Sequence, residues 1–146
     1  ATYIRGGTSK GVFFRLQDLP EVAQIPGAAR DALLLRVIGS PDPYGKQIDG
    51  MGGATSSTSK TVILAKSSKS DHDVDYLFGQ VSIDKAFVDW SGNCGNLSAA
   101  VGPFAVRHGF VDAELIHVAF WKRGDTGLVH EGGCPVRWMC SSGIRR

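Results

Sequence analysis

From Gly95 to about His108 the chain reads as a helix that is apolar almost all the way round. Leu97, Ala100, Val101, Phe104 and Ala105 leave little polar face, and a helix of that kind has to be covered on most sides. The remaining elements must therefore be built around it. Gly109 supplies a C-terminal stop. Pro103 lies inside the segment; it lacks an N–H and its ring opposes the carbonyl four residues back, so it predicts a kink or a helix start one turn later. Just ahead of the helix, Asp89-Trp90-Ser91-Gly92-Asn93-Cys94-Gly95-Asn96 puts a thiol at its N-terminal end. Unpartnered backbone N–H groups and the positive end of the helix dipole favour thiolate there. Cys94 is accordingly a candidate for chemistry; a buried small hydrophobe at a helix start is the competing reading.

The glycines point the same way. The chain has 19 of them, gathered into short motifs that run directly into hydrophobic strands rather than into linkers, which suggests backbone-lined binding loops. Arg5-Gly6-Gly7-Thr8-Ser9-Lys10-Gly11 lies between an extended Thr2-Tyr3-Ile4 and the strand Val12-Phe13-Phe14-Arg15-Leu16. Its N–H groups and hydroxyls can hold a carboxylate or phosphate; a plain hairpin connection explains it equally. It is not a P-loop, since the spacing differs and no helix follows the lysine. The second motif, Asp49-Gly50-Met51-Gly52-Gly53-Ala54-Thr55-Ser56-Ser57-Thr58-Ser59-Lys60, leads into the buried strand Thr61 to Ala65. Lys60, at the mouth of that strand, is either partly desolvated, with a pKa lowered toward that of a general base, or solvated at the strand edge.

Between these motifs, Gln17 to Pro20 reads as a turn. Ala28 to Ile38 reads as a helix with Leu34, Val37 and Ile38 at helical spacing, Arg30 and Asp31 on the more polar side, and Gly39 beyond its end. Val74 to Ile83 reads as a strand with Gly79 as a bend or bulge, and Ala86 to Asp89 continues in extended form toward the cysteine. Leu115 to Trp121 has strand composition, and Gly124 to Arg146 is irregular.

At 146 residues one compact domain is expected, burying roughly 70% of its extended-chain surface. A net charge of +2 with acids and bases interspersed gives no basic stripe for nucleic acid. No apolar run approaches a membrane span and no secretory leader is read, and an odd number of cysteines, three, suits a reduced, cytoplasmic protein. Asp71-His72-Asp73 is discounted as a metal site, because neighbours in a hydrophilic turn seldom converge on one ion, and Cys134 and Cys140 lack partner ligands. No metal is expected.

Ala1 to Phe14, Asp49 to Lys60 and Ser91 to Asn96, in that order and at that spacing, resemble the PrpF family, which includes 2-methylaconitate isomerase, methylitaconate isomerase and 4-oxalomesaconate tautomerase. The resemblance runs from Ala1 to about Asp112. It implies an α+β, diaminopimelate-epimerase-like domain in which a mixed sheet wraps around a central buried helix, with the active site in a cleft between two such domains. It also implies proton transfer without a cofactor in an unsaturated di- or tricarboxylate. The carry-over assigns catalysis to Lys60 and Cys94. Substrate binding falls to Arg5, Gly7, Thr8, Ser9, Ser57, Thr58, Ser91, Gly92, Asn93, Gly95 and Asn96. Two departures stand out: family members are much longer, and residues 113 to 146 do not follow the pattern. The chain is therefore expected to be an N-terminal half with little activity alone, open to self-association or to a second-domain partner. A non-catalytic carboxylate-binding module and an inactive fragment are the alternatives.

Overall fold

The computed structural model describes residues 1–70, 72–112 and, as backbone only, 120–122. The strands β1 (Thr2–Gly6) and β2 (Ser9–Arg15) form an antiparallel hairpin. A 3-10 turn, Leu16–Asp18, follows, closed by the Arg15–Asp18 ion pair at 2.6 Å. Next come the one-turn helix α1 (Glu21–Gln24) and α2 (Ala28–Ile38). The chain then enters β3 (Lys60–Lys66), β4 (Val74–Val81) and the short β5 (Val88–Asp89). Two short helices, α3 (Gly95–Ser98) and α4 (Val101–Arg107), come after it, and β6 (Phe120–Lys122) closes the order. The sheet runs β1-β2-β3-β4-β5, with β6 also paired to β4. The β2–β3 and β4–β6 pairs are parallel and the others antiparallel. The fold is thus α+β with a mixed sheet. Among the described residues no helix is long and apolar enough to cross a membrane.

Helices cover both faces of the sheet. On one, α1 and α2 pack Ala23, Leu34, Leu35 and Ile38 against Val12, Phe14, Ile63 and Leu77. On the other, Leu97, Ala100, Val101, Phe104 and Ala105, together with Cys94, close over Phe13, Val62, Leu64, Tyr76 and Phe78. The all-round apolar segment is therefore buried as its composition requires, but as two pieces. The break at Ala99–Ala100 lies where the Pro103 ring opposes the Ala99 carbonyl, and Phe104 N–H restarts the bonding by donating to Ala100 O. Pro103 sits in the first turn of α4, a position where a missing N–H costs nothing.

α2 has the predicted bounds and ends at Gly39, whose φ of +86° suits a left-handed cap. Met51 and Gly52 donate their N–H groups to Val37 O and Ile38 O, so the second glycine motif satisfies carbonyls that the helix end leaves open. A Cβ at Gly50 would fall on the Ile38–Gly39 backbone, which is why the close approach uses glycine.

Three expectations are corrected. Arg30 is not on a solvated face. It is buried and turned back on α1, donating to Ala23 O at 2.9 Å and to Gln24 O. Gly79 is not a bulge, for the β3–β4 register runs unbroken from Lys60↔Gln80 to Lys66↔Val74. A Cβ there would sit 2.9 Å from both Thr61 Cγ2 and Trp90 Cζ3, so the glycine makes room for what crosses the sheet. The strand β4 stops at Val81, short of Ile83. The turn over Gln17 to Pro20 is present, and the α1 that follows it, not read from the sequence, is too short for its periodicity to register. The readings over Leu115 to Ala119 and Gly124 to Arg146, including Cys134 and Cys140, fall outside the described residues.

Candidate active site

Strand parity brings the chemistry to one face. In β3, Lys60 shares the side of Val62 and Leu64; in β4, Phe78 and Gln80 share the side of Tyr76; in β2, Ser9 and Gly11 share that of Phe13. All lie at one end of the sheet under α3. Lys60 is 8% exposed, so it is not the solvated edge lysine of the competing reading. Its Nζ donates to Gln80 Oε1 at 2.6 Å and stands 4.9 Å from the centroid of the Phe78 ring, within cation–π range. Cys94, also 8% exposed, is the N-cap residue of α3 and a free thiol. Its Sγ is 3.6 Å from Ser9 Oγ, the reach of a weak sulfur hydrogen bond. α3 is a single turn separate from α4, so the dipole behind Cys94 is that of one turn rather than of a long helix.

The hairpin turn of the first motif is pressed against α3. Asn96 Nδ2 donates to Thr8 Oγ1 at 2.9 Å. A Cβ at Gly6 would overlap the Asn96 carbonyl oxygen, and one at Gly7, where φ is +54°, would overlap Asn96 Oδ1. Both positions therefore need glycine, Gly7 for its backbone as well as for space. Gly11 makes the next step possible, since a Cβ there would lie 3.0 Å from Leu97 Cδ1 and 3.4 Å from Lys60 Cβ. The second motif joins through the backbone: Lys10 N–H donates to Ser57 O at 2.9 Å. Ser59, buried, donates its hydroxyl to Val81 O at 2.8 Å and accepts from Gln47 Nε2 at 2.8 Å, which fixes the chain entering Lys60.

The other expected binding residues are spent partly on local structure. Arg5 Nε donates to Gly7 O at 2.9 Å. Ser57 Oγ and Thr58 Oγ1 bond Thr55 Oγ1 at 2.9 and 2.8 Å. Asp89 Oδ1 accepts from both the N–H and the hydroxyl of Ser91, and Asn93 Oδ1 accepts the Cys94 N–H at 2.8 Å. Gly92 lies beside the Phe78 ring and the space around Gly95 is open. Gly7, Thr8, Ser9, Cys94 and Asn96 thus meet directly, whereas Thr58 and Ser91 bond within their own loops. Gln80 was not anticipated from the sequence; its signal was a polar residue at a core-facing position of a buried strand. Among the described residues no group of three or more His, Cys, Asp or Glu could hold a metal ion.

Residues 1–124 match the family model described as PrpF protein. The chain is 84% identical over 144 residues to a 2-methyl-aconitate isomerase of Shewanella oneidensis, covering 98% of this chain and 33% of that protein. It is 85% identical over 116 residues to a 2-methyl-aconitate isomerase of Cupriavidus necator, covering 80% of this chain and 29% of that one. The crystal structure of a methylitaconate-delta-isomerase superimposes with a TM-score of 0.74 at 47% identity, over 83% of this chain and 30% of that one. The chain therefore spans about a third of the length of the relatives it matches, and by the extent of the family match it belongs to the PrpF family.

Proposed function

We propose that this chain supplies one wall of the active site of a cofactor-independent isomerase acting on an unsaturated di- or tricarboxylate of the 2-methylaconitate type. The observation that carries the reading is the convergence of Lys60 and Cys94 on one sheet face beneath the turn Gly6–Ser9, in a chain whose relatives bear isomerase names. Lys60 and Cys94 are the proton-transfer pair. One takes the acidic C–H proton, and the electron pair left behind spreads through the adjoining alkene into a carboxylate. The other returns a proton at the far carbon, so the double bond moves and the atoms balance. Backbone N–H groups and hydroxyls of the glycine loops, at Gly7, Thr8, Ser9, Ser57 and Thr58, hold carboxylates and stabilise the charge as it develops, without reorganising. Ser91 to Asn96 border the same substrate.

The remaining wall comes from the part of a full-length protein that lies outside this chain. The exposed side chains of Tyr44 and Ile48, at 84% and 82%, are apolar surface available to such a second domain or to another copy. A chimera in which residues 1–112 replace the matching stretch of the Shewanella oneidensis relative provides the assay. Lys60→Met and Cys94→Ser should each lower kcat by about 10²–10⁴, the range of a lost proton-transfer group. Turnover unchanged in both variants would instead favour a carboxylate-binding module.

A further inference from the structure

Gln80 stands directly across the strand pair from Lys60, in the register Lys60↔Gln80, and on its other side pairs with Asp89 of β5, the strand that leads into the cysteine loop. Its amide has two fixed obligations. Oε1 accepts from Lys60 Nζ at 2.6 Å, and Nε2 donates to Ser59 O at 2.8 Å. A lysine ammonium can only donate and a backbone carbonyl can only accept, so these partners determine which way the amide faces. The amide is thus tied to the backbone immediately before Lys60 and returns that rigidity to the lysine's own nitrogen. On the other side the amine meets the Phe78 ring. A lysine side chain without such partners samples many rotamers.

We infer that Gln80 is a positioning residue that clamps the Lys60 amine against Phe78 in the orientation required for proton transfer. The inference rests on the proposed role of Lys60, and it accounts for a half-buried polar side chain at a core-facing strand position that no substrate carboxylate is needed to explain. Among the described residues no other side chain hydrogen-bonds Lys60 Nζ. Glutamine is suited to this as glutamate is not: a carboxylate would face the Ser59 carbonyl with no hydrogen to give, and would hold the lysine as its ammonium ion, unable to take a proton. Asparagine is one methylene too short to reach both partners.

The test reads Lys60 in two ways. In the chain itself, a clamped lysine over an aromatic ring shows two inequivalent, ring-shifted Hε proton resonances. In Gln80→Leu these should collapse toward the single averaged position of a free lysine. In the chimera, the same substitution should lower kcat about 10–100-fold, the scale of a reacting group misplaced by about an ångström, with KM within about twofold. Gln80→Met, matched in length and lacking both hydrogen-bonding groups, decides the matter if the leucine variant does not fold. Restored Hε inequivalence and turnover in Gln80→Glu would overturn the requirement for the amide. Lys60 resonances unchanged in Gln80→Leu, or a collapsed signature with undiminished kcat, would overturn the clamp. The proposed function fails separately, through a Lys60→Met chimera that keeps full turnover, whatever the resonances show.

Discussion

Asn96 is the residue on which the two halves of the candidate site meet. Its carbonyl oxygen and side-chain oxygen occupy the space that side chains at Gly6 and Gly7 would need, and its amide nitrogen holds Thr8. Gly6→Ala must therefore push the hairpin turn away from α3 by the bulk of a methyl group. The expected cost is about 1–3 kcal/mol of stability, as for other overpacked contacts, with a loss of turnover in the chimera because Ser9 moves away from Cys94. A shift in the urea midpoint measures the first effect. A Gly6→Ala protein with wild-type stability would mean that the contact is looser than the backbone geometry requires.

At the scale of elements, the decisive contact is the crossing of Trp90 and Val88 over β4 at Gly79. Trp90 reaches past the sheet to donate its indole N–H to Asp31 of α2 at 3.0 Å, so β5 is locked to the helix behind it. A methyl group at Gly79 would meet Thr61, Trp90 and Val88 together at 2.9 to 3.0 Å. Gly79→Ala is predicted to destabilise the fold by about 1–3 kcal/mol, and to expose Trp90, visible as a red-shifted emission. The same contact shows what a sequence can and cannot carry. α2 was legible to the residue because a glycine on either side and a heptad's worth of spacing are local signals. So were the pairing of Cys94 with a buried apolar helix and the glycine motifs. The role of Gly79 was not, because what crowds it comes from residues 18, 9 and 11 positions away, as did the partnership of Arg30 with α1. The polar parity of Gln80 was present in the sequence but became meaningful only once the register set it opposite Lys60.

Across the whole molecule, the sheet face that carries the candidate site also carries a phenol whose ionisation the fold opposes. Burial holds the Tyr76 phenol well above its ordinary range, and the charge that Cys94 carries when ionised adds to the effect. A raised folded-state pKa leaves stability intact below the unfolded value near 10 and removes it as pH climbs from there toward the folded value, at up to about 1.4 kcal/mol per pH unit for one proton. Tyr76→Phe should flatten that slope in urea titrations taken above pH ~10; a slope equally steep in both proteins would refute it. The central claim concerns Lys60 and Cys94 on this same face, which are read as exchanging a proton with a bound unsaturated carboxylate. Incubating the chimera with 2-methylaconitate in heavy water tests that claim most directly. Deuterium should enter the substrate in the unsubstituted protein and fail to enter with Lys60→Met or Cys94→Ser, whereas undiminished exchange in both variants would contradict the assignment.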